Sequence, residues 1–456
     1  MLNPVLLIPA VLALSPATQT SPNVLLIVGD DIGVDIVAAY GEHAQPAKTP
    51  TLDGLASEGV RFTNAWAHPT CSPSRASILT GRHAFRHGVL NPAAAATLPA
   101  AEVTLPQVLK EAGYSTALFG KWHLGEAPES QPHRRGFDYF AGSLGAGVGD
   151  YFSWEKTVAG DTDSTDSTAN TANTASETTL TTTYATRDVQ QEARAWIAAQ
   201  ATPWFAMLAY NAPHSPMHIP PSDLLSAETA ASLKGRAGAR CSRRDAANPS
   251  TACYRAMVEA MDASIGQLLR WLEARGTLDD TLVIFVGDNG TPGGGVIADG
   301  VFDPTKAKKT VYEGGVNVPL IVYGGASLPV RRGVTSDGVV QALDLFATIA
   351  ELAGATEPTE PTVTDAVSLT GLLTTQGALP PRSTIYTEYA QRRQGIDKWA
   401  ISDGALKVMV NEGVSRCFDL SVDPGEAIDL YAAGPSARCD ALAAKRIQQS
   451  GASLSP

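Results

Sequence analysis

Short apolar runs alternate along this chain with longer amphipathic segments, a pattern that predicts an α/β fold. The runs at residues 24–28, 115–119, 204–209, 282–286 and 319–323 have the length and β-branched content of buried parallel strands. Between them, residues 50–58, 105–112 and 254–275 carry helical periodicity and are closed by Gly59, Gly113 and Gly276. In the last of these, Met257, Met261, Ile265, Leu268, Leu269 and Leu272 share one face, the pattern of core packing rather than of a Met-lined ligand site. A further helix is predicted over residues 341–353.

Residues 157–183 are nearly all Thr, Ser, Ala, Asp and Asn, too polar to bury a core, and are predicted to form a mobile surface insertion. Loop-like stretches at 357–364 and 374–382 follow the helix at 341–353. Beyond them, residues 384–389, 399–401, 406–410 and 417–420 alternate like antiparallel strands. The expected organisation is a main α/β domain over 21–374 and a small C-terminal antiparallel-sheet subdomain over 375–456. Residues 1–20 hold an apolar run (5–14) followed by Ser15, Pro16 and Ala17, which reads as a secretory signal peptide without the usual basic start. Export to a periplasm or the exterior is therefore expected. No other run approaches the roughly 20 apolar residues of a membrane span.

Composition narrows the partners. The formal net charge of the 456 residues is -12, and no block of Lys and Arg could track a phosphate backbone, which argues against nucleic acid. The five cysteines are an odd number. In an exported chain the late ones can pair locally, Cys241 with Cys253 and Cys417 with Cys439, leaving Cys71 single; five reduced thiols are the alternative. Nothing in the sequence addresses the oligomeric state.

Ligands of open α/β sheets sit beyond the carboxyl ends of the strands, so the residues after each run are the candidates for chemistry. The run at 24–28 leads to Gly29, Asp30 and Asp31, and the run at 282–286 to Gly287, Asp288, Asn289 and Gly290. Three carboxylates and an amide brought together require a cation, and all-oxygen ligands select a hard ion, Ca²⁺ or, second, Mg²⁺. Taken singly, Asp30 and Asp288 could instead cap the turns that follow them. Lys121 and His123 follow the run at 115–119, His214 follows that at 204–209, and Lys308 lies in a polar stretch ahead of 319–323. Beside a metal-bound anion these would act as charge clamps and a leaving-group acid. Finally, Cys71 opens the stretch CSPSRASILTGR. Ser72 is suited to cap a helix and Pro73 to its first position, which puts Cys71 at a helix N-terminus that favours anions, with Arg75 one turn on. A bare thiol there is expected to be acidic and nucleophilic, so a cysteine hydrolase is a competing reading.

Cys71, Pro73, Ser74 and Arg75, followed by Leu79-Thr80-Gly81-Arg82, resemble the signature of the type I sulfatase family of the alkaline phosphatase superfamily. The resemblance runs from about residue 22 to about 430. It implies a large mixed, mostly parallel sheet sandwiched by helices, and a sulfatase that cleaves a sulfate ester to an alcohol and inorganic sulfate. It further implies that a maturation enzyme oxidises Cys71 to formylglycine, whose hydrate attacks sulfur with one hydroxyl and expels sulfate with the other. Asp30, Asp31, Asp288 and Asn289 look like the Ca²⁺ ligands, joined by the modified Cys71. Arg75 looks like the residue that orients the formylglycine; Lys121, His123 and Lys308 match positions that bind sulfate or steady the leaving alcohol, and His214 matches the histidine near the leaving oxygen. Lys308 is preferred to Lys309 on its spacing to Tyr312. The implied substrate is a sulfated small molecule or glycan. Two other readings stand beside it, a phosphonate or phosphodiester hydrolase of the same superfamily and a catalytically inactive glycan-binding relative. Asn317, where the family often has Arg, and Gly33-Val34-Asp35 depart from the pattern without touching an implied ligand. His43, His68, His83, His87, His133 and His218 match no motif.

Overall fold

A computed structural model describes residues 21–93, 96–160, 176–201, 203–242, 244, 249–293, 303–356, 364–378, 382–391 and 396–450. The expected signal peptide lies outside them, as does the middle of the expected insertion.

Ten strands form one mixed sheet: β1 (Asn23–Gly29), β2 (Val60–Trp66), β3 (Ser115–Lys121), β4 (Tyr139–Ser143), β5 (Trp154–Gly160), β6 (Glu177–Thr181), β7 (Trp204–Ala209), β8 (Thr281–Gly287), β9 (Leu320–Gly324) and β10 (Val334–Gln341). Their spatial order is β10-β2-β9-β8-β1-β7-β3-β4-β5-β6. The five central strands, β8-β1-β7-β3-β4, run parallel. All seven residues of β1 are buried. Their side chains alternate between two cores: Leu25 and Ile27 pack with the helix Ser250–Ala274, and Val24, Leu26 and Val28 with the opposite layer. This two-sided burial explains why the run reads as continuously apolar. Met257, Met261, Ile265, Leu268 and Leu272 are fully buried on the long helix, as core residues.

Several sequence expectations need correction. The strand at 319–323 runs antiparallel to both β8 and β2. The helix expected over 341–353 is Asp344–Leu352, because Gln341 still pairs in β10. The proposed insertion at 157–183 is ordered at both flanks: β5 and β6 pair antiparallel, and the Thr157 and Thr178 hydroxyls bond at 2.8 Å. Threonine is a good strand former, so low hydrophobicity there did not mean absence of structure.

A second sheet of four antiparallel strands follows, β11 (Ile385–Gln391), β12 (Ile396–Ser402), β13 (Leu406–Asn411) and β14 (Val414–Asp419), in that order. One face packs on Trp66, Val311, Val316 and Val339 of the first sheet's surroundings. The other packs on Leu442 of the helix Ala437–Ser450, which the Cys417–Cys439 disulfide ties to β14. A second disulfide joins Cys241 to Cys253, at the start of the long helix, and Cys71 is the free, buried cysteine. Both pairings agree with the sequence expectation. Among the described residues, no helix is long and apolar enough to cross a membrane.

Candidate active site

Parallel register brings the polar residues together. Gly29 pairs with Gly287, and Val28 and Gly120 both pair with Ala209. The turns after β1, β8 and β7 therefore emerge at one edge, together with Lys121 at the end of β3. Asp30, Asp31, Asp288 and Asn289 meet there, all buried. The Asp31 backbone N–H donates to Asp288 Oδ1 (3.1 Å), and Asn289 Nδ2 donates to Asp31 Oδ1 (2.9 Å). Asp31 adopts this turn with φ of +68°, a left-handed conformation that favours glycine and that the surrounding contacts must hold.

Cys71 arrives from another direction. After β2 the chain turns into the helix Cys71–Thr80, every residue of which is buried. Thr70 occupies the cap position but makes no side-chain capping bond, and Cys71 is the first helical residue. Ser72 thus does not cap the helix as expected; it lies inside the first turn, its buried hydroxyl unpartnered. Ligand atoms of Cys71, Asp30, Asp31 and Asp288 all lie within 4.8 Å of one another, a group able to hold a metal ion. Cys71 Sγ is 3.4 Å from Asp30 Oδ1 and 3.3 Å from Lys308 Nζ.

Three cations answer three carboxylates. Arg75 donates from Nε (3.0 Å) and Nη2 (2.8 Å) to Asp288 Oδ2, and from Nη1 to the Lys121 carbonyl. Lys121 pairs with Asp30 at 2.5 Å, and Lys308 pairs with Asp31. Lys308 reaches Asp31 and Cys71 with its side chain, whereas Lys309 is exposed. Burial raises the Asp30 carboxyl, but Lys121, His214, Arg75 and Lys308 outweigh it and hold the group well below the usual carboxylate range. For Asp288, burial and the neighbouring Asp30 prevail over Arg75 and the pKa is raised. Burial, then Asp288 and Asp30, push the Cys71 thiol up to about 12. The loss of water and the two carboxylates outweigh Lys121 and Lys308, against the acidic thiol expected at a helix N-terminus.

His123 is buried with Nδ1 unpartnered, and burial and Lys121 lower its pKa to about 2, so its ring is neutral. His214 stands at the rim, half-buried, its Nδ1 2.8 Å from the Ser215 carbonyl. It lies outside the ligand cluster. A cavity of about 370 Å³ opens beside Asp31, lined by Ser215, Pro216, Met217, Arg240 and Pro292 among others.

Sequence reasoning missed the support beneath the helix. Ser77 bridges His68 Nε2 and His87 Nε2, at 3.0 Å each, and His68 Nδ1 lies 3.3 Å from the Glu388 carbonyl of β11. The position of Ser77, six residues past Cys71, is the signal that could have revealed it; His68 and His87 carry none. His218 packs against Tyr151 and Phe152 and lies 3.5 Å from Asp150.

Residues 22–355 match the Sulfatase family. Human N-acetylgalactosamine-6-sulfatase is 33% identical over 387 residues, covering 80% of this chain and 68% of that protein. Mouse arylsulfatase J is 31% identical over 345 residues, covering 74% of this chain but only 53% of its own length, so the chain spans about half of that relative. Among solved structures, Ps i-CgsB in complex with k-i-k-neocarrahexaose superposes with a TM-score of 0.75 at 26% identity, covering 94% of this chain and 93% of that one. With the Cys71 helix facing a carboxylate cluster on this sheet, these likenesses establish that the chain belongs to the sulfatase family, the sulfuric ester hydrolases.

Proposed function

We propose that this protein hydrolyses the sulfate ester of a sulfated glycan, with Cys71 matured to formylglycine beside a bound Ca²⁺. The observation that carries the reading is the free Cys71 at the first position of a buried helix, within 4.8 Å of three carboxylates. Asp30, Asp31, Asp288 and Asn289 would hold the ion. The donor set fits a hard cation, because it is all oxygen and Asn289 Oδ1 is buried with no hydrogen-bond partner among the described residues. The carboxylates of Asp30, Asp31 and Asp288 are matched by Arg75, Lys121 and Lys308, so a divalent cation would leave a surplus that attracts a sulfate group. When bound, the ion would supply Lewis acidity, and the formylglycine hydrate would supply a geminal-diol nucleophile.

The other roles belong to the side chains. Arg75, fixed by three hydrogen bonds, orients residue 71. Lys121 and Lys308 clamp the sulfate oxygens. His123, neutral and with a free ring nitrogen, hydrogen-bonds the ester, and His214 at the rim delivers a proton to the leaving oxygen. The cavity beside Asp31 would receive the sugar; a structural neighbour, Ps i-CgsB, is solved in complex with k-i-k-neocarrahexaose. Export, supported by the two disulfides, would place the enzyme where extracellular glycans occur and bring Cys71 to a formylglycine-generating enzyme.

Sulfate released from aryl sulfates and sulfated oligosaccharides is the direct test, with an aryl phosphate diester assayed in parallel and residue 71 read by peptide mass spectrometry. Faster cleavage of the diester, or an unmodified thiol in protein from its native host, would overturn the reading. Cys71→Ser is expected to stall after one sulfation, because serine lacks the second hydroxyl; multiple turnovers by that variant are incompatible with the mechanism.

A further inference from the structure

Lys407, on β13 of the C-terminal sheet, is fully buried although charged. Its ammonium lies 2.8 Å from Glu313 Oε1 and 2.9 Å from Glu426 Oε1, and 4.7 Å from the centre of the Trp66 ring. Trp66 Nε1 in turn donates to Glu313 Oε2 (3.3 Å), and the Glu313 backbone N–H donates to Glu426 Oε2 (2.6 Å). Such a cluster is costly to desolvate, so its ion pairs are weak evidence of a stabilising role.

What it grips is the segment that serves the active site. Glu313 opens the short helix Glu313–Val316, five residues after Lys308. The same segment is pinned a second time, because Lys306 Nζ donates to the carbonyls of Gly425 (2.9 Å) and Glu426 (2.7 Å). Between these two fastenings, Lys308 gives its backbone N–H to the Thr291 carbonyl (3.1 Å) and reaches Asp31 and Cys71 with its side chain. Beyond Glu313, the Gly315 carbonyl accepts from the Gly290 N–H (2.9 Å), next to Asn289.

We propose that Lys407 is a positioning residue of the active site: through Glu313 and Glu426 it fastens the segment that aims Lys308. The C-terminal sheet thus contributes to sulfate binding without touching the sulfate. Burial outweighs Lys407 and leaves the Glu426 carboxyl raised to about 7.

The inference rests on the assignment of Lys308 to sulfate, and a double-mutant cycle tests it in the mature full-length protein. Lys407→Met is expected to lower kcat/KM for an aryl sulfate about ten-fold or more, the scale of a small misplacement of a charged group. In a Lys308→Ala background the same change is expected to cost less than about two-fold, since the aimed group is gone. The cycle is repeated on the affinity for inorganic sulfate by calorimetry, which needs no turnover. Lys306→Ala, at a partly exposed site, gives a second variant should Lys407→Met not fold, and the same non-additivity is expected. Equal losses in both backgrounds, or no loss in a folded variant, would overturn the inference. If the wild type releases no sulfate, or Lys308→Ala matches it, the underlying assignment fails instead.

Discussion

Two carboxyl groups here behave oppositely for reasons readable from their neighbours. Asp31 receives Lys308 and the Asn289 amide, and with Asp30 and Asp288 it belongs to the group able to hold a metal ion. Asp31→Asn should therefore weaken Ca²⁺ binding by about ten-fold or more, measured by calorimetry on metal-stripped protein, because one of the three charges on the ion is removed. Glu388, by contrast, is buried on β11 with no cation in hydrogen-bond contact among the described residues, and burial lifts its carboxyl from 4.5 to about 7. A raised carboxyl pKa means that the folded state binds the proton more tightly. The penalty for ionising Glu388 is absent below about pH 4.5, grows as pH rises, and is complete above about 7. That shift corresponds to roughly 3 kcal/mol. Glu388→Gln should flatten the fall in stability between those pH values, as read from denaturant midpoints; an unchanged slope would assign the pH dependence to other groups.

At the scale of elements, backbone contact decides what side chains could only suggest. Each metal-ligand turn leaves its strand against another strand's exit. A Cβ at Gly290 would lie 2.0 Å from the Gly314 carbonyl oxygen, so the turn after β8 can sit on the Glu313–Val316 helix only with glycine there. Gly290→Ala is expected to destabilise the fold by about 3 kcal/mol, seen in thermal unfolding, and to reduce Ca²⁺ affinity in any folded fraction. The helix Cys71–Thr80 shows the same economy. Ser74 accepts from the His68 backbone N–H and Ser77 bridges two imidazoles, which fixes the helix.

Across the whole molecule, the small C-terminal sheet is a part of the active-site scaffold rather than an appendage. It shares a core with Trp66 and Val316, touches the Cys71 helix through β11 and His68, and holds Glu313 through Lys407. Its outer face is closed by the Cys417–Cys439 bridge across 22 residues. Replacing both cysteines with alanine should lower unfolding stability by about 3 kcal/mol. Because the two sheets share a core, the loss should appear as a single cooperative transition at lower temperature; two separated transitions would argue for independent units.

The sequence by itself determined the local elements and marked the polar residues that folding gathers beside Cys71. β1, β7 and β8 were legible because strands buried on both faces must be apolar throughout, and the helix Pro50–Glu58 because its periodicity ends at glycine. The cysteine pairs were legible from short separations, and Asp30, Asp288, Cys71 and Lys308 from their places after strands and in motifs. Only the tertiary structure decided the rest. The antiparallel run of β9 depends on pairing with β8 and β2, partners 34 to 262 residues away that no local pattern encodes. The ordering of β5 and β6 arises from the ladder between them. The raised thiol of Cys71, the buried Lys407 and the Ser77 bridge all follow from which charges and hydroxyls folding places side by side, because desolvation and Coulomb energy depend on distance in space and not on separation along the chain.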